Sequence, residues 1–380
     1  MKPYRVLFLL HSDARAGLEE HVLSLLQTLS RQQFVLGLVC PIALVHTMAA
    51  ELKVLPLEVF PVQAVQWSAF RDIRRLWGIL RAFRPDILHC HLFRATLVGA
   101  LLGRAAGVPV ILETYHGREV WRHGPLKGRF FVDRFVARWV DQIIAVSEAA
   151  ARFLRENKGI PAQKITVIAN GRDLHAFVPG NSHTRALLRQ HWGIPDNVPV
   201  VGVVGRLEAQ KGHRFLVEAL PQVLTEFPDI RVLLVGEGSL RPALEAQATI
   251  LGIRDRIIFA GFQHDVSVYL NTMDVVVLPS LYEGMPLAAI EAAAMAKPVV
   301  ATSVDGTAEV IQHGRTGLLV PPSAPGPLAK AILTLLRQPE LARRYGQAAR
   351  KHALHQFDLR RQVGETERLY VNTMAATKRR

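Results

Sequence analysis

The segments Asp274-Val-Val-Val-Leu-Pro279 and Ser280-Leu-Tyr-Glu-Gly-Met-Pro-Leu-Ala-Ala-Ile-Glu291 follow each other directly and decide the fold of this chain. The first is a continuous apolar run closed by proline, which predicts a buried strand of a parallel sheet. The second predicts a helix from Leu287 to Met295, because alanine is a strong helix former and Pro286 suits the first helical position. A strand that passes at once into a helix is the unit from which α/β folds are built.

The turn between this strand and helix predicts an anion site. Backbone N–H groups from Gly284 to Leu287 open the helix, where the helix dipole is positive and the first donors have no partner within the helix. Glu291 is the only charged residue of the apolar helix, and burying an unpaired carboxylate is costly. We therefore expect Glu291 to face a cavity or a hydrogen-bonding ligand. The alternative is a partly solvated glutamate on an edge helix.

Short apolar runs alternate with amphipathic segments along the rest of the chain. Strands are predicted at 4–10, 35–40, 86–90, 108–114, 142–146, Val200–Val204, Arg231–Val235, Ile257–Phe259, Asp274–Leu278, Pro298–Ala301 and Gly317–Val320. Helices between the early strands are predicted at Leu18–Arg31, Phe70–Phe83, Thr96–Ala106 and Leu126–Val140. The alternation pauses in a polar, proline-containing stretch that ends near Asn197 and then restarts, which predicts two doubly wound domains.

Length and composition agree with an enzyme-sized globular protein. A chain of 380 residues exceeds one ordinary core, and 49% hydrophobic residues exclude disorder. Two cysteines, Cys40 and Cys90, are too few for a disulfide framework and lack metal-ligand spacing, which indicates a reducing cytoplasm. The apolar run from Val6 to Leu10 is too short for a signal sequence, and the sequence contains no run of membrane-spanning length. We expect a cytoplasmic protein.

The charge of the chain predicts an acidic partner. The net charge is +14, and residues 1–170 contain 22 Lys and Arg against 13 Asp and Glu, so most of the excess lies in the first half. We expect that half to contact an anionic membrane. The segment from Lys127 to Asp141 interleaves aromatic and basic residues; it is either an interfacial helix or, as we favour, a sheet-packing helix with a basic polar face.

Two cations follow the first strand of the second domain. Gly205 permits a tight turn after the strand Val200–Val204, and Arg206 and Lys211 come next. A diphosphate leaving group gains negative charge as its bond to a sugar breaks, so fixed cations stabilise the transition state more than the ground state. Arginine grips phosphate with two hydrogen bonds and lysine acts as a point charge. The alternative is a solvated pair at a strand end.

These motifs together resemble retaining glycosyltransferase family 4. The resemblance rests on an ordered series: Ala145-Val-Ser-Glu148, Val167-Ile-Ala-Asn170-Gly171, Gly205-Arg206-Leu207 with Lys211-Gly212, Leu233-Leu-Val-Gly236-Glu-Gly238, Phe259-Ala-Gly-Phe262, Glu283 with Glu291, Lys297-Pro-Val-Val-Ala-Thr302 and Gly306 to Glu309. This series covers most of the chain. The departures are Ala16, Ala296, Asp305 and Ala308 in place of glycine or proline, and Arg172 in place of an aliphatic residue.

The resemblance implies an α/β protein of the GT-B fold, with two Rossmann-like doubly wound parallel-sheet domains facing a cleft. It implies an N-terminal domain at 1–178 on the acceptor and membrane side, a C-terminal donor domain at 179–356, and a last helix at 357–380 that crosses back to the first domain. The expected reaction moves a hexosyl unit from a nucleotide-diphosphate sugar, expected to be a UDP-sugar, to a glycan or lipid-linked glycan. That activity would serve cell-surface polysaccharide synthesis.

The resemblance also assigns site residues in the second domain. Arg206 and Lys211 would hold the diphosphate, Glu291 would accept hydrogen bonds from the ribose, and Glu283 would bind sugar hydroxyls. The sugar pocket would be lined by Gly284, Met285, Pro286 and Leu287.

In the first domain the resemblance assigns Gly17 and His116. Gly17 ends the loop Asp13-Ala-Arg-Ala-Gly17, which resembles a family loop that approaches the donor phosphate. His116, in Thr114-Tyr-His-Gly117, would lie against the donor sugar and act in catalysis together with the charged residues of the donor site. The alternative for His116 is a packing role at a strand end.

Metal chemistry is not expected. His89 and His91 present two imidazoles on one face of a strand end, but the sequence offers no third ligand beside them, so a structural or acceptor-side role is favoured. The reaction is expected to need no metal and no cofactor apart from the donor substrate. The sequence leaves two other functions open, a GT-B-like sugar-nucleotide epimerase and a basic nucleic-acid-binding protein. The second is disfavoured because the basic residues are spread over alternating helices rather than concentrated in one stripe.

Overall fold

The computed structural model describes residues 2–12, 17–63, 70–117 and 130–378. Its strands are β1 Tyr4–Leu10, β2 Phe34–Pro41, β3 Leu57–Val62, β4 Ile87–His91, β5 Val110–Tyr115, β6 Gln142–Ala145, β7 Ile165–Val167, β8 Val200–Val204, β9 Arg231–Val235, β10 Ile257–Gly261, β11 Val275–Leu278, β12 Val299–Thr302 and β13 Gly317–Val320.

Helices connect nearly all of these strands. They are α1 Gly17–Thr28, α2 Ile42–Thr47, α3 Ala49–Val54, α4 Phe70–Phe83, α5 Phe93–Ala105, α6 Phe131–Val136, α7 Glu148–Glu156, α8 Ser182–His191, α9 His213–Leu224, α10 Arg241–Ile250, α11 Ser267–Thr272, α12 Leu287–Ala294, α13 Thr307–Val310, α14 Pro325–Arg337, α15 Pro339–Gln356 and α16 Leu359–Thr377.

The chain divides into two compact units. The first comprises Met1–Asn170 together with Leu359–Arg380, and the second comprises Gly171–Asp358. The last helix, α16, therefore belongs to the first unit, where the Tyr370 hydroxyl lies 2.6 Å from Nδ1 of His89 and Glu367 accepts a hydrogen bond from the backbone of Ser30.

The first unit is built on a seven-stranded sheet with the order β3-β2-β1-β4-β5-β6-β7, and its neighbouring strands are all parallel. The central strands β1 and β4 pair with Val6 opposite Ile87, and both are buried along nearly their whole length. Strands covered on both faces read as continuous apolar runs, which is why these were recognisable from sequence.

The second unit repeats the design with six parallel strands in the order β10-β9-β8-β11-β12-β13. The core strand β8 is buried at every residue and pairs with β9 on one side and β11 on the other. Helices α9 and α14 pack against each other and bury Leu216, Leu220 and Ile332 in the core of this unit.

One sequence expectation about elements was wrong, and two strands were not anticipated. Pro286 was expected at the first helical position, but its ψ of 114° is extended, so it caps α12 and Leu287 is the first helical residue. Strands β3 and β7 were not expected. They lie at the two edges of their sheet and are mostly half-buried, so they lack the apolar runs of central strands. The helix expected at Leu126–Val140 begins outside the described residues, and α6 covers only its middle.

His213, the first residue of α9, is buried, and among the described residues neither of its ring nitrogens has a hydrogen-bond partner. Burial, aided by the charge of Lys211, lowers the pKa of His213 from 6.5 to about 3. An unfolded chain takes up a proton near pH 6.5 and the folded protein does not until about pH 3. Stability therefore falls as the pH is lowered through this window, by at most about 1.4 kcal/mol per pH unit for this one group.

Between pH 7 and pH 5 we expect the free energy of unfolding of His213→Leu to fall by about 2 kcal/mol less than that of the wild type. The leucine has no proton to gain on unfolding and leaves no unpaired ring nitrogen in the core. Urea unfolding at the two pH values measures the difference. An equal loss in both proteins would show that His213 is solvated or bonded in the native state.

Candidate active site

The polar residues of the second unit gather where the strand order reverses. The chain leaves β8 toward β9 on one side, while the later strands β11, β12 and β13 extend the sheet on the other side. Ligands of open α/β sheets bind beyond the carboxyl ends of strands at such a reversal. Arg206 and Lys211 follow β8, and Glu283 follows β11, so the structure brings the expected cations and the first glutamate to this place.

Lys211 and Glu283 form an ion pair with Nζ 2.6 Å from Oε1. The same carboxylate oxygen accepts a hydrogen bond of 2.7 Å from the Ser280 hydroxyl, and the backbone N–H of Glu283 donates to Asp305 at 3.1 Å. The Glu283 side chain is 7% exposed and that of Lys211 is 19% exposed. The pair is therefore held in a fixed position, and the Lys211 side chain keeps some exposure to solvent.

The loops that carry this pair are tied together by their backbones. Leu281 N–H donates to the carbonyl of Gln210 at 2.8 Å, and the Gln210 side chain donates to the carbonyl of Tyr282 at 3.1 Å. Gly212 has a left-handed φ of +64°, and a Cβ there would lie 2.0 Å from the carbonyl oxygen of Pro279. Glycine is needed at this position for both reasons, because a side chain would push the two loops apart.

Arg206 lies beside this pair and is exposed. Among the described residues its guanidinium enters no ion pair. Burial raises the pKa of Tyr282, and the positive charge of Arg206 acts against that rise. The arrangement presents one arginine and one lysine at the strand ends, the combination that suits a diphosphate.

Glu291 has a protein partner that the sequence did not suggest. Its Oε1 lies 2.7 Å from Nε of Arg172, and the two side chains are 7% and 20% exposed. The Arg172 guanidinium therefore compensates the buried carboxylate within the protein, and the expectation that Glu291 faces a cavity or a ligand stays a prediction. Arg172 stands where the family pattern has an aliphatic residue, and a cation at such a position indicates a buried acid nearby.

The segment from Gly284 to Leu287 lies between the two glutamates and leads into α12. Gly284, Met285 and Pro286 are buried and Leu287 is half-buried. Glu291 lies one turn further along α12 and is buried with the alanines of that helix. The assignment of these residues to a sugar pocket stays a prediction.

In the first unit the strand order reverses between β1 and β4, and histidines gather there. His91 ends β4, His116 follows β5, and His21 lies on α1, which follows β1. Gly17 is the first residue of α1, and the rest of its loop, from Asp13 to Ala16, lies outside the described residues.

The three histidines are in mutual contact. Nδ1 of His91 lies 3.0 Å from Nε2 of His116. The ring of His21 meets the ring of His116 edge-on at a centroid distance of 4.8 Å, and that of His91 at 5.7 Å. His21 Nδ1 lies 3.0 Å from both Asn170 Oδ1 and Gln362 Nε2. His21 Nε2 is buried and has no hydrogen-bond partner within the described part of the chain.

His89 is close to His91, but both of its ring nitrogens are engaged in hydrogen bonds. Its ring nitrogens lie 2.6 Å from the Tyr370 hydroxyl and 2.7 Å from the Thr114 hydroxyl. The sequence grouped His89 with His91, whereas the structure groups His91 with His21 and His116. Those residues are 70 and 25 positions from His91, and their meeting depends on β1 and β5 flanking β4, which one sequence does not reveal.

Burial makes all of these imidazoles hard to protonate. It lowers the pKa of His21 to about 4 and that of His89 to about 3. The pKa values of His91 and His116 lie well below 6.5, first because of burial and then because a proton on one ring would repel a proton on its neighbours. The cluster is neutral at physiological pH, so His116 is suited to form hydrogen bonds as an uncharged imidazole rather than to carry a positive charge.

Two Rossmann-like parallel-sheet domains in one chain, with charged side chains at the strand ends of the second, define the GT-B class of glycosyltransferase. The chain matches the model of family 4 glycosyltransferases over residues 15–176 and that of group 1 glycosyl transferases over residues 198–338. It belongs to glycosyltransferase family 4 and is a transferase enzyme.

Individual relatives agree with this assignment. An uncharacterized glycosyltransferase of Methanocaldococcus jannaschii is 30% identical over 276 residues, 70% of each chain. The Escherichia coli UDP-Gal:α-D-GlcNAc-diphosphoundecaprenol α-1,3-galactosyltransferase is 29% identical over 67% of each chain. The Anabaena protein HepE, solved in complex with UDP-glucose, is 25% identical with a TM-score of 0.85, covering 98% of this chain and all of that one.

Within the described ranges, the structure contains no helix that combines the length and the apolar character needed to cross a bilayer.

Proposed function

We propose that the protein transfers a hexosyl unit from a UDP-sugar to a glycan or lipid-linked glycan, with retention at the anomeric carbon, in the synthesis of cell-surface polysaccharide. The observation that carries the proposal is the Lys211–Glu283 pair beside Arg206 at the strand-order reversal of the second unit. A fixed ammonium and guanidinium there match the charge that develops on a departing nucleoside diphosphate.

The choice of donor and acceptor is supported by the relatives. HepE was solved with UDP and with UDP-glucose, and the E. coli relative is named for a UDP-galactose donor and a diphosphoundecaprenol-linked acceptor. The proposed donor contacts are Arg206 and Lys211 on the diphosphate, Glu291 on the ribose and Glu283 on sugar hydroxyls. The remaining proposed contacts come from Gly17 and from the segment Gly284, Met285, Pro286 and Leu287.

His116 is the proposed first-unit participant in the reaction. It is a neutral imidazole held by His91 at 3.0 Å, so its ring has a fixed orientation. We propose that the reaction itself requires no metal. Neither the epimerase nor the nucleic-acid-binding alternative is supported by the relatives described above.

Release of UDP from UDP-sugars in the presence of membrane lipid extract tests the proposal. We expect UDP release that depends on both the sugar donor and the extract, and an α-linked product by NMR from an α-linked donor. Release from GDP- or ADP-sugars instead would change the donor assignment. An inverted product would reject retention, and acceptor-independent conversion of the sugar would favour an epimerase.

Glu291→Ala is expected to weaken nucleotide binding by about 1.5–3 kcal/mol, the range for hydrogen bonds to a charged group. Calorimetric titration of UDP measures it. The competing explanation is that Glu291 only pairs with Arg172. In that case Glu291→Ala lowers stability while the folded protein keeps its nucleotide affinity, and Glu291 leaves the donor site.

Contact with an anionic membrane is proposed for the first unit, and α4 is its best-defined surface. Its exposed face carries the guanidinium groups of Arg71, Arg74, Arg75 and Arg81, and Trp77 is 37% exposed among them. Leu76, Leu80 and Phe83 on the opposite face are buried in the core. Basic residues with an exposed tryptophan suit the headgroup region of a bilayer, where each basic residue adds about 1 kcal/mol.

We expect flotation with anionic vesicles at low salt and little flotation with neutral ones. Replacing Arg74, Arg75 and Arg81 by glutamate removes three positive charges and adds three negative ones, so flotation should be lost. A matched control replaces Arg343, Arg344 and Lys351 on α15 in the same way. Equal recovery of wild type and α4 variant with anionic vesicles would exclude α4 as the contact surface.

A further inference from the structure

Three histidines of the first unit converge from distant parts of the sequence onto one point. His21, His91 and His116 each offer one ligand atom, and these atoms lie within 4.8 Å of one another. Among the described residues this is the one group of three or more His, Cys, Asp or Glu side chains with such geometry. We propose that the group binds a divalent transition-metal ion, with Zn²⁺ as the preferred ion.

Two of the three rings already have the spacing of a tetrahedral site, and the third must move closer, since the ligand atoms are separated by up to 4.8 Å. Two imidazole nitrogens bound to Zn²⁺ at about 2.0–2.1 Å lie about 3.4 Å apart in tetrahedral geometry. His91 Nδ1 and His116 Nε2 are already 3.0 Å apart and share one proton. An ion takes the place of that proton, and the two neutral rings then carry their protons on the other nitrogens, His91 on Nε2 and His116 on Nδ1.

His21 is arranged to present a free nitrogen to the same point. Its Nδ1 lies 3.0 Å from the Asn170 side-chain oxygen, and with the proton on Nδ1 it donates to that oxygen. Nε2 then has a lone pair, and it is buried with no hydrogen-bond partner among the described residues. Metal-bound histidines characteristically donate their second N–H to an oxygen in this way, which fixes ring orientation and tautomer. With the proton on Nε2 instead, Nδ1 would accept from Gln362, but the buried Nε2–H would have no acceptor among the described residues, so the tautomer with a free Nε2 is favoured.

The donor set selects the ion. Imidazole nitrogens favour zinc, copper, nickel and cobalt, whereas Mg²⁺ and Ca²⁺ require oxygen ligands. Three histidines with one position left for water form a site of the open kind, which zinc occupies readily. His89 lies next to His91 but does not belong to the site, because both of its ring nitrogens are engaged by Tyr370 and Thr114.

Occupancy of this site has a consequence for the enzyme, which rests on the proposed role of His116. An ion bound to His116 withdraws its imidazole from the reaction. Zn²⁺ then acts as an inhibitor of sugar transfer, and a chelator restores activity. Zn²⁺ binding itself is measured without an activity assay.

The test uses the full chain without a histidine tag, freed of metal by a chelator. We expect one Zn²⁺ per chain by calorimetry, and visible absorption of tetrahedral Co²⁺ that Zn²⁺ abolishes. His21→Ala should weaken Zn²⁺ binding about 100-fold or more, and Asn170→Ala, which keeps all three ligands, about 10-fold. His46→Ala, an exposed histidine of the first unit, is the matched control and should bind like the wild type.

The proposal is overturned if the wild type binds no Zn²⁺. It is also overturned if His21→Ala binds Zn²⁺ as tightly as the wild type. If His21→Ala does not fold, His116→Ala decides the matter, since His116 is half-buried and tolerates truncation more readily. X-ray absorption of the wild-type zinc complex gives a further readout that needs no variant. Fewer than three imidazoles around the zinc would also overturn the proposal. A failed sugar-transfer assay with intact zinc binding would reject the proposed function and leave this site standing.

Discussion

His116→Ala is expected to lower kcat about 100-fold or more, the scale for losing a positioned proton-transfer or polar group. UDP affinity should stay nearly unchanged, because the proposed nucleotide contacts are Arg206, Lys211 and Glu291 of the second unit. An effect on kcat without an effect on ground-state binding identifies an interaction made in the transition state. The assay is run with chelator present, so that loss of a bound metal does not contribute.

Two controls separate chemistry from packing for this variant. His46→Ala is exposed in the same unit and should keep the wild-type kcat. His116→Asn retains a polar side chain of smaller size and should also be impaired, since an amide has no basic nitrogen. A folded His116→Ala protein with near-normal kcat would assign His116 to packing against His91 and His21.

Lys211→Met is expected to lower kcat about 100- to 1000-fold, the loss measured when one donor to a developing negative charge is removed. The ammonium is held 2.6 Å from Glu283 and is partly open to solvent, so it is fixed in place before a diphosphate arrives. A fixed charge needs no reorganisation during the reaction, so its removal should lower kcat in addition to weakening the binding of the diphosphate.

In Lys211→Met the Glu283 carboxylate loses its cation and keeps the hydrogen bond from the Ser280 hydroxyl. A buried carboxylate without a cation lowers the stability of the protein, and a partly unfolded sample would also show lower activity. The double variant Lys211→Met with Glu283→Gln removes the uncompensated buried charge and should recover stability relative to the single variant. Its kcat should remain low. Recovery of activity in the double variant would contradict the assigned role of Lys211.

The sequence predicted the central architecture because buried parallel strands are apolar on both faces. Strands β8, β9 and β13 have the residue limits expected from the apolar runs. The edge strands β3 and β7 were not predicted, because both are mostly half-buried and therefore lack a continuous apolar run, and β3 contains Pro61. Edge strands are where proline and mixed polarity are tolerated.

The position of the candidate donor site could be predicted from sequence, because its charged residues directly follow predicted strands of the second unit. Lys211 and Glu283 could be placed at strand ends from sequence, but their direct pairing requires β8 and β11 to be neighbours. The partnership of Arg172 with Glu291 joins positions 119 residues apart, so the cation at position 172 indicates a buried acid but not which one. His21 is unremarkable on an amphipathic helix until α1 is placed beside the end of β4.

The central claim is that the second unit binds a uridine diphosphate sugar through the charged residues at its strand ends. A thermal-unfolding panel with UDP, GDP, ADP and their sugars tests it most directly, using wild type and Lys211→Met. A ligand at a free concentration 100 times its Kd raises the free energy of unfolding by about 2.7 kcal/mol. For a domain the size of the second unit this corresponds to a rise in Tm of about 5 °C. We predict such a rise for UDP and UDP-sugars with the wild type and a clearly smaller one with Lys211→Met. No shift with any uridine nucleotide, or an equal shift in the two proteins, would contradict the account.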